Sequence, residues 1–349
     1  APGGAGAALF AEAAAPAALA AGVAAWSLSP QEQLVLAGAI GEPALGGLVA
    51  RYSGAKPVSP AAGHILSRHI DHTGNAAAVA ALAAELNTIG AGRLTIRRQR
   101  FTHEGKRHEN VEASLGANGL SGIVILSAHL DSTAKDTPPY RPSADPAPGA
   151  DDDASGIAAI LAAAGAILAL AAALPAAMRR EIRLVLFNAE EQGLIGSRAY
   201  ARELSQEGTE VVAAFQLDMI GHSTAQVRGF ELHAGFTASA EVQRRSVQLA
   251  ELVQAMCGQF ADGGLAPQVF PGAEPFDPGE GRSDHYSFHL EGYPACLISE
   301  DFFAGPGPTG PPANPNPNYH QATDTTINEG YAAAISRAVT AAAWVAATR

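Results

Sequence analysis

GIVILSAHLD, residues 122–131, is a continuous apolar run that ends in a histidine and an aspartate. Such a run is typical of a strand that is covered on both faces of a sheet. EIRLVLFNAEE at 181–191 and EVVAAFQLD at 210–218 repeat the pattern. Helical patterns lie at about 155–174, 193–206, 238–260 and 327–347. Strands that alternate with helices predict an α/β fold, with a mixed, largely parallel central sheet and helices on both faces.

Acidic residues and histidines follow these strands at their carboxyl ends or lie in the connecting loops. In open α/β sheets, ligands bind at the carboxyl ends of the strands, so we expect these side chains to lie close together. The candidates, in chain order, are His129, Asp152, Glu190, Glu191, Asp218 and His320. Buried carboxylates without a partner cost several kcal/mol each, and a bound cation would supply that partner for all of them.

The composition of this cluster predicts which metal binds. Histidine nitrogen together with carboxylate oxygen suits zinc or a similar divalent ion. Two histidines and three acids are too many ligands for one catalytic zinc, but they fit two ions about 3.5–4 Å apart that share a carboxylate and a water. One of the adjacent residues Glu190 and Glu191 would then be free to act as general base. Asp131, two residues after His129, is placed to accept a hydrogen bond from the other imidazole nitrogen.

The overall composition limits the class of partner. The chain of 349 residues has a formal net charge of −12, which argues against nucleic acid or an anionic membrane surface. Its two cysteines cannot form a disulfide framework, and we interpret Cys257 and Cys296 as two buried thiols. The uncharged run at 157–174 has the length of a transmembrane helix. Because it directly follows the loop that carries Asp152, we interpret it as a helix packed on the sheet.

The domain organisation is predicted to be simple. Residues 1–30 are rich in Ala and are expected to be an N-terminal extension. Residues 31–349 show neither a repeat nor a Gly/Ser linker, and they are predicted to form a single domain without a lid domain. The first ten residues contain no basic segment, so no signal peptide is visible in this sequence.

Six short motifs together resemble a known enzyme family. They are Ser127-Ala-His129-Leu-Asp131-Ser132, Gly149-Ala-Asp-Asp152-Asp-Ala-Ser-Gly156, Ala189-Glu190-Glu191-Gln-Gly193, Leu217-Asp218-Met-Ile-Gly221, Ser283-Asp284-His285-Tyr-Ser-Phe288 and Tyr319-His320-Gln-Ala-Thr-Asp324-Thr325. In this order and spacing they resemble the M28 family of co-catalytic zinc exopeptidases, the bacterial leucyl-type aminopeptidases in particular. The resemblance covers roughly residues 45–345.

The resemblance implies a role for each residue of the cluster. The implied metal ligands are His129 on one zinc, His320 on the other, Asp152 bridging both, and Glu191 and Asp218 each completing one set. Glu190 would be the general base, which deprotonates the attacking water and later protonates the leaving amine. The family often has a cis peptide after the bridging aspartate, so the bond between Asp152 and Asp153 is a candidate.

Other residues receive supporting roles. Asp131, Asp153 and Asp284 are expected to contact the ligands or the loops that carry them. Tyr319, which precedes His320, matches the branch of the family whose tyrosine stabilises the tetrahedral intermediate. Arg282 resembles a substrate-binding arginine of the same branch.

The expected function is therefore that of a secreted or periplasmic, monomeric metallo-aminopeptidase with two Zn²⁺ ions. It would hydrolyse the N-terminal bond of peptides that have a free N-terminus, with a preference for apolar N-terminal residues. A related zinc carboxypeptidase, dipeptidase or glutaminyl cyclase is the alternative, although the cyclase-like members lack a histidine at the position of His129. A non-catalytic receptor-like domain is disfavoured, because such domains usually lose metal ligands.

Overall fold

The computed structural model describes residues 26–59, 63–224, 228–260, 264–272, 276–303 and 313–349. The strands in this part of the chain are β1 (Thr95–His103), β2 (Lys106–Leu115), β3 (Gly119–His129), β4 (Arg179–Phe187), β5 (Val211–Leu217), β6 (Arg228–His233), β7 (Leu265–Phe270) and β8 (Ala295–Glu300). The helices are α1 (Pro30–Ala39), α2 (Glu42–Tyr52), α3 (Thr73–Gly90), α4 (Ala154–Ala173), α5 (Ile195–Gln206), α6 (Ala240–Cys257), α7 (His285–Leu290) and α8 (Glu329–Thr348).

The described strands form one mixed sheet in the order β1-β2-β4-β3-β5-β8-β6-β7. β4, β3, β5 and β8 are parallel neighbours at its centre, and β6 pairs in parallel with β7. The β1–β2 hairpin and the β6–β8 pair are antiparallel, as is the pairing of β2 with β4. The parallel centre brings the carboxyl ends of β3, β4 and β5 to one edge, as their sequences predicted.

Helices cover both faces of the sheet, which confirms the predicted fold class. α5 and α7 pack on one face, where Tyr200, Leu204 and Phe288 join a small apolar cluster with the sheet. The larger core on the other face contains residues of the remaining helices, including Leu82 and Trp344. The predicted absence of a lid domain, like the division into an extension and one domain, stays a prediction.

The uncharged run at 157–174 lies in α4. This helix is long and apolar enough to cross a membrane by length and composition alone, but most of it is buried within the protein. Its alanines let it approach β3, β4, α2 and α8 closely. Asp153 caps its first turn by accepting a hydrogen bond from the backbone N–H of Gly156. α4 is therefore a core helix that begins beside the candidate metal ligands.

Two elements, β7 and α7, were not predicted from the sequence. In addition, residues at the end of the predicted extension pack into the core. β7 contains Pro267, which is tolerated because β7 lies at an edge of the sheet. α7 has only six residues, too few for a visible helical period. Most of the predicted extension, residues 1–25, lies outside the described residues. Within residues 26–30, however, the side chains of Trp26 and Leu28 are buried in the larger core.

Candidate metal centre

Asp152 stands between the two histidines that the sequence singled out. Its Oδ1 lies 3.0 Å from Nε2 of His129, at the end of β3. Its Oδ2 lies 3.2 Å from Nε2 of His320, which follows the loop after β8. One carboxylate therefore faces two imidazole nitrogens from residues 191 positions apart. This is the arrangement expected of an aspartate that bridges two cations.

Each histidine also faces a second carboxylate. Oδ1 of Asp218, just after β5, lies 3.4 Å from Nε2 of His129. Oε2 of Glu191, after β4, lies 3.2 Å from Nε2 of His320. The structure thus brings together all five predicted ligands in two groups that share Asp152, and in each group the ligand atoms lie within 4.8 Å of one another.

The loops that carry these residues are tied by two buried aspartates. Asp153 follows a cis peptide bond, as the resemblance implied, and its Oδ2 accepts a hydrogen bond of 3.1 Å from the backbone N–H of His129. Asp131 accepts hydrogen bonds from the backbone N–H groups of Glu190 and Glu191, at 3.0 and 3.2 Å. Its Oδ1 lies 3.7 Å from Nδ1 of His129, too far for the hydrogen bond that we expected. Asp131 positions the Glu190–Glu191 loop instead.

Ser283 was not assigned a role from the sequence, although it belongs to one of the six motifs. Its hydroxyl donates a hydrogen bond of 2.6 Å to Oδ2 of Asp218, the oxygen that does not face His129. The adjacent Asp284, predicted to support the site, is buried and accepts a hydrogen bond from Gln216 on β5. No sequence pattern distinguishes such a serine from an ordinary buried one.

Several residues of the site have a backbone conformation that side chains other than glycine rarely adopt. Ala189, Met219 and His320 have φ values of 60°, 57° and 55°. Each such residue costs of order 1–3 kcal/mol and persists only where its surroundings enforce it. Ala189 precedes the Glu190–Glu191 pair, and Met219 follows Asp218. Strain of this kind clusters at active sites, and a sequence does not display it.

Burial and like charge both oppose the ionisation of Glu190 and Glu191. Burial raises the pKa of Glu190 well above its usual value, and the charge of Asp218 adds to the effect although His129 counteracts it. Burial also raises the pKa of Glu191, as does the charge of Asp152. Oε1 of Glu191 is buried without a hydrogen-bond partner among the described residues. Within the protein alone, Glu190 and Glu191 therefore lack full compensation for a negative charge.

Both histidines have a raised pKa although burial lowers it. The charge of Asp218 is the main cause at His129, and Asp152 and Glu191 raise the pKa of His320 to about 9. Zinc binds neutral imidazole, so a bound ion would take the place of the proton that these carboxylates favour. The donor set of two imidazoles and three carboxylates, with the orphaned oxygen of Glu191, fits zinc.

A cavity opens directly onto this cluster. Its polar wall includes Glu190, the predicted general base, and Tyr319, whose ring stacks on His320 with 3.6 Å between the centroids. Burial and the nearby carboxylates raise the pKa of Tyr319, so its hydroxyl stays protonated and can donate a hydrogen bond. Arg282 also lines the cavity, with its guanidinium 6.0 Å from the ring centroid of Phe303. The apolar wall consists of Met219, Leu297, Phe302 and Phe303.

A buried arginine that the sequence did not reveal joins the two loops of the site. Nε of Arg68 donates a hydrogen bond of 2.8 Å to the backbone oxygen of Leu130, which follows His129. The other guanidinium nitrogens donate to the backbone oxygens of Pro148 and Gly149, at 2.7 and 3.0 Å, and to that of Tyr52. Arg68 is fully buried. It therefore fixes the segment after β3 against the loop that leads to Asp152.

Replacing Arg68 by methionine should lower the free energy of unfolding by about 3 kcal/mol or more, because several backbone oxygens would be buried without a partner. Urea denaturation with a chelator present measures this effect without a contribution from bound metal. Arg202→Met, at an exposed position of α5, is the control and should change the free energy of unfolding by less than about 0.5 kcal/mol. Equal unfolding midpoints for both variants would contradict this role of Arg68.

Comparison with known proteins decides the family. The model of peptidase family M28 matches residues 110–345, about two thirds of the chain. The chain belongs to peptidase family M28. Leucine aminopeptidase 1 of Coccidioides posadasii is 30% identical to this M28 chain over 222 residues, which are 61% of this chain and 51% of that protein. Leucine aminopeptidase 1 of Leptosphaeria maculans is 32% identical over 182 residues, 52% and 42% of the two chains. The chain spans about half the length of these curated relatives.

Solved structures share the fold of this M28 chain. The LapA aminopeptidase of Legionella pneumophila superposes with a TM-score of 0.67 at 18% identity, over 91% of this chain and 75% of that one. A leucine aminopeptidase precursor of Bacteroides thetaiotaomicron gives a TM-score of 0.63 at 15% identity, over 87% and 97% of the two chains. At these identities the likeness concerns the fold.

Proposed function

We propose that this chain is a dinuclear zinc aminopeptidase. The observation that carries the proposal is Asp152, whose two carboxylate oxygens face Nε2 of His129 and Nε2 of His320 at 3.0 and 3.2 Å. His129 and Asp218 would hold one ion, and His320 and Glu191 the other. Family membership and the leucine aminopeptidase relatives support the same function.

Glu190 is the proposed general base. It lines the cavity, and the two adjacent metal-ligand groups do not include it. A bound zinc ion would polarise the scissile carbonyl and would lower the pKa of water to about 7. Glu190 takes the proton of the attacking water and returns it to the leaving amine as the peptide bond breaks. Together with Asp218, its carboxylate also attracts the α-ammonium group of the substrate.

Tyr319 is the proposed donor to the oxyanion that develops on the substrate carbonyl. Replacing it by phenylalanine keeps the ring that stacks on His320 and removes only the hydroxyl. We expect kcat to fall by about 100-fold with little change in KM, because the lost hydrogen bond forms mainly in the transition state. Steady-state hydrolysis of leucyl-p-nitroanilide measures both constants. An unchanged kcat would remove Tyr319 from this role.

The proposed preference for apolar N-terminal residues is supported by the apolar part of the cavity. Met219, Leu297, Phe302 and Phe303 form a wall that suits an apolar N-terminal side chain, which supports cleavage after residues such as leucine. Arg282, at the rim, is proposed to contact the substrate. Action as a monomer on free N-termini and a secreted or periplasmic location remain part of this proposal.

Comparing two substrate classes tests the proposed activity against its alternatives. Leucyl-p-nitroanilide and peptides with a free N-terminus should be hydrolysed by the zinc-loaded chain, whereas N-acetylated peptides of the same sequence should not. Hydrolysis of the N-acetylated peptides from their carboxyl end would favour a carboxypeptidase. Cyclisation of N-terminal glutamine without peptide hydrolysis would favour a glutaminyl cyclase.

A further inference from the structure

A second cavity, of about 490 Å³, lies between the first turn of α3 and the β1–β2 hairpin. β2 is antiparallel to β4, with Val111 opposite Leu186, so the hairpin turn points to the same edge of the sheet as the metal centre. The side chain of Asn188, two residues before Glu190, donates a hydrogen bond to the backbone oxygen of Glu109 in the cavity wall. The described residues that line this cavity do not line the metal-site cavity.

The wall of this cavity is basic, although the chain as a whole is acidic. Among the described residues that line it, Arg98 and Arg100 on β1 and Lys106 and Arg107 on β2 face a single carboxylate, that of Glu109. Arg98 and Arg100 are alternate residues of one strand, so both side chains project from the same face. In a chain with a net charge of −12, this wall is a local concentration of positive charge.

Neighbouring carboxylates neutralise only part of this charge. Glu109 pairs with both Arg98 and Arg100, and Asp71 pairs with Lys106 at 2.6 Å. Among the described carboxylates, none forms an ion pair with Arg107. The four cations thus face two paired carboxylates, while Glu104 in the hairpin turn does not line the cavity. The side chains of Arg98, Arg100 and Lys106 remain 44%, 76% and 62% exposed, so their charged groups are accessible to a ligand.

The N-terminus of α3 also favours an anion in this cavity. The first turn of α3 contains no acidic residue, so the positive end of the helix dipole is not neutralised by its own side chains.

We propose that this cavity binds carboxylates of an acidic segment of the peptide substrate, downstream of its N-terminal residue. The proposal rests on the proposed aminopeptidase function. Arg98 and Arg100 are about 7 Å apart along β1, the spacing of alternate side chains in an extended peptide. Ile70, Ala76 and Val79 give the cavity an apolar part that suits the intervening side chains.

Binding and kinetics of designed peptides test this proposal. N-acetyl-Ala-Ala-Asp-Ala-Asp and its lysine counterpart N-acetyl-Ala-Ala-Lys-Ala-Lys have no free N-terminus, so calorimetric titration into the zinc-loaded chain reports binding without turnover. Arg100→Gln/Arg107→Gln removes two cavity charges. Arg198→Gln/Arg202→Gln, at exposed positions of α5, removes two charges elsewhere and is the matched control.

The acidic peptide should bind the wild type more tightly than the lysine peptide. The cavity variant should lose roughly three- to tenfold in affinity for the acidic peptide, and the control should not. For Leu-Ala-Ala-Asp-Ala-Asp, the cavity variant should raise KM by the same factor and leave kcat unchanged. Its hydrolysis of leucyl-p-nitroanilide, which lacks a downstream segment, should equal that of the wild type.

Equal affinity of the wild type for the acidic and lysine peptides would overturn the proposal, as would an equal loss in both double variants. Absence of leucyl-p-nitroanilide hydrolysis in every form would instead overturn the proposed function. The calorimetric comparison would in that case still decide whether the cavity binds acidic peptides.

Discussion

Glu190→Gln should lower kcat by roughly 100- to 10,000-fold while the zinc content of the protein stays at the wild-type value. Glutamine has nearly the same size as glutamate but cannot take a proton from water. Glu190 lines the cavity and belongs to neither group of adjacent metal ligands, so its replacement leaves those groups intact. The loss corresponds to about 3–5 kcal/mol of transition-state stabilisation. Turnover of leucyl-p-nitroanilide and metal analysis of the same sample measure the two quantities together.

The adjacent glutamate and a remote one provide the controls for this prediction. Glu191→Gln should lower both turnover and zinc content, because Glu191 faces His320 in one of the ligand groups. Glu207→Gln, at the exposed end of α5, should change neither. Near-normal turnover of Glu190→Gln would remove Glu190 from the base role. Loss of zinc from Glu190→Gln would make it a metal ligand instead.

Asp152→Asn should weaken the binding of both ions by more than about 100-fold and abolish measurable turnover. Asp152 is the residue common to the two ligand groups, and each of its oxygens faces a different histidine. The substitution keeps the volume of the side chain but removes its charge. Calorimetric titration of the metal-depleted variant with zinc measures the affinity.

Variants of the unshared ligands separate bridging from simple ligation. Asp218→Asn and Glu191→Gln should each reduce the zinc stoichiometry by one ion, because each faces a single histidine. Asp145→Asn, which removes a surface ion pair with Arg141, should retain wild-type stoichiometry. If Asp152→Asn retained one tightly bound ion, Asp152 would be a ligand of a single metal.

The sequence was sufficient to predict the parallel centre of the sheet and the proximity of the candidate ligand side chains. Long apolar runs such as GIVILSA are read directly as buried strands, and the carboxyl ends of such strands must meet at one edge. The sheet topology alone therefore brings together the potential metal ligands at these strand ends, such as His129, Glu191 and Asp218. The sequence also predicted that the uncharged helix α4 packs on the sheet, because the loop before it carries Asp152.

Features that depend on tertiary contacts were not predictable in the same way. The hydrogen bond from Ser283 to Asp218 and those from Arg68 to Leu130 and Gly149 join residues far apart in sequence. Asp131 illustrates the same limit, because the two-residue spacing from His129 suggested a contact with the imidazole. Its carboxylate accepts instead from backbone N–H groups of the loop after β4, whose position only the folded sheet defines.

Short and irregular elements were missed for local reasons. β7 was not predicted because it contains Pro267. Proline is depleted in strands and is acceptable only where its missing N–H lies at the edge of a sheet. The basic cavity was not visible either, since Arg98 and Arg100 on β1 look like the solvent-facing residues of an ordinary strand. Only the position of α3 against the β1–β2 hairpin creates the cavity that they line.

The most direct test of the dinuclear site is a zinc titration of the metal-depleted wild-type chain. Bound zinc and hydrolysis of leucyl-p-nitroanilide would be measured at each step of the same titration. We predict that two equivalents bind tightly per chain and that turnover reaches its maximum when the second equivalent is bound. Saturation at one equivalent with full activity, or the absence of tight zinc binding, would contradict the dinuclear centre built around Asp152.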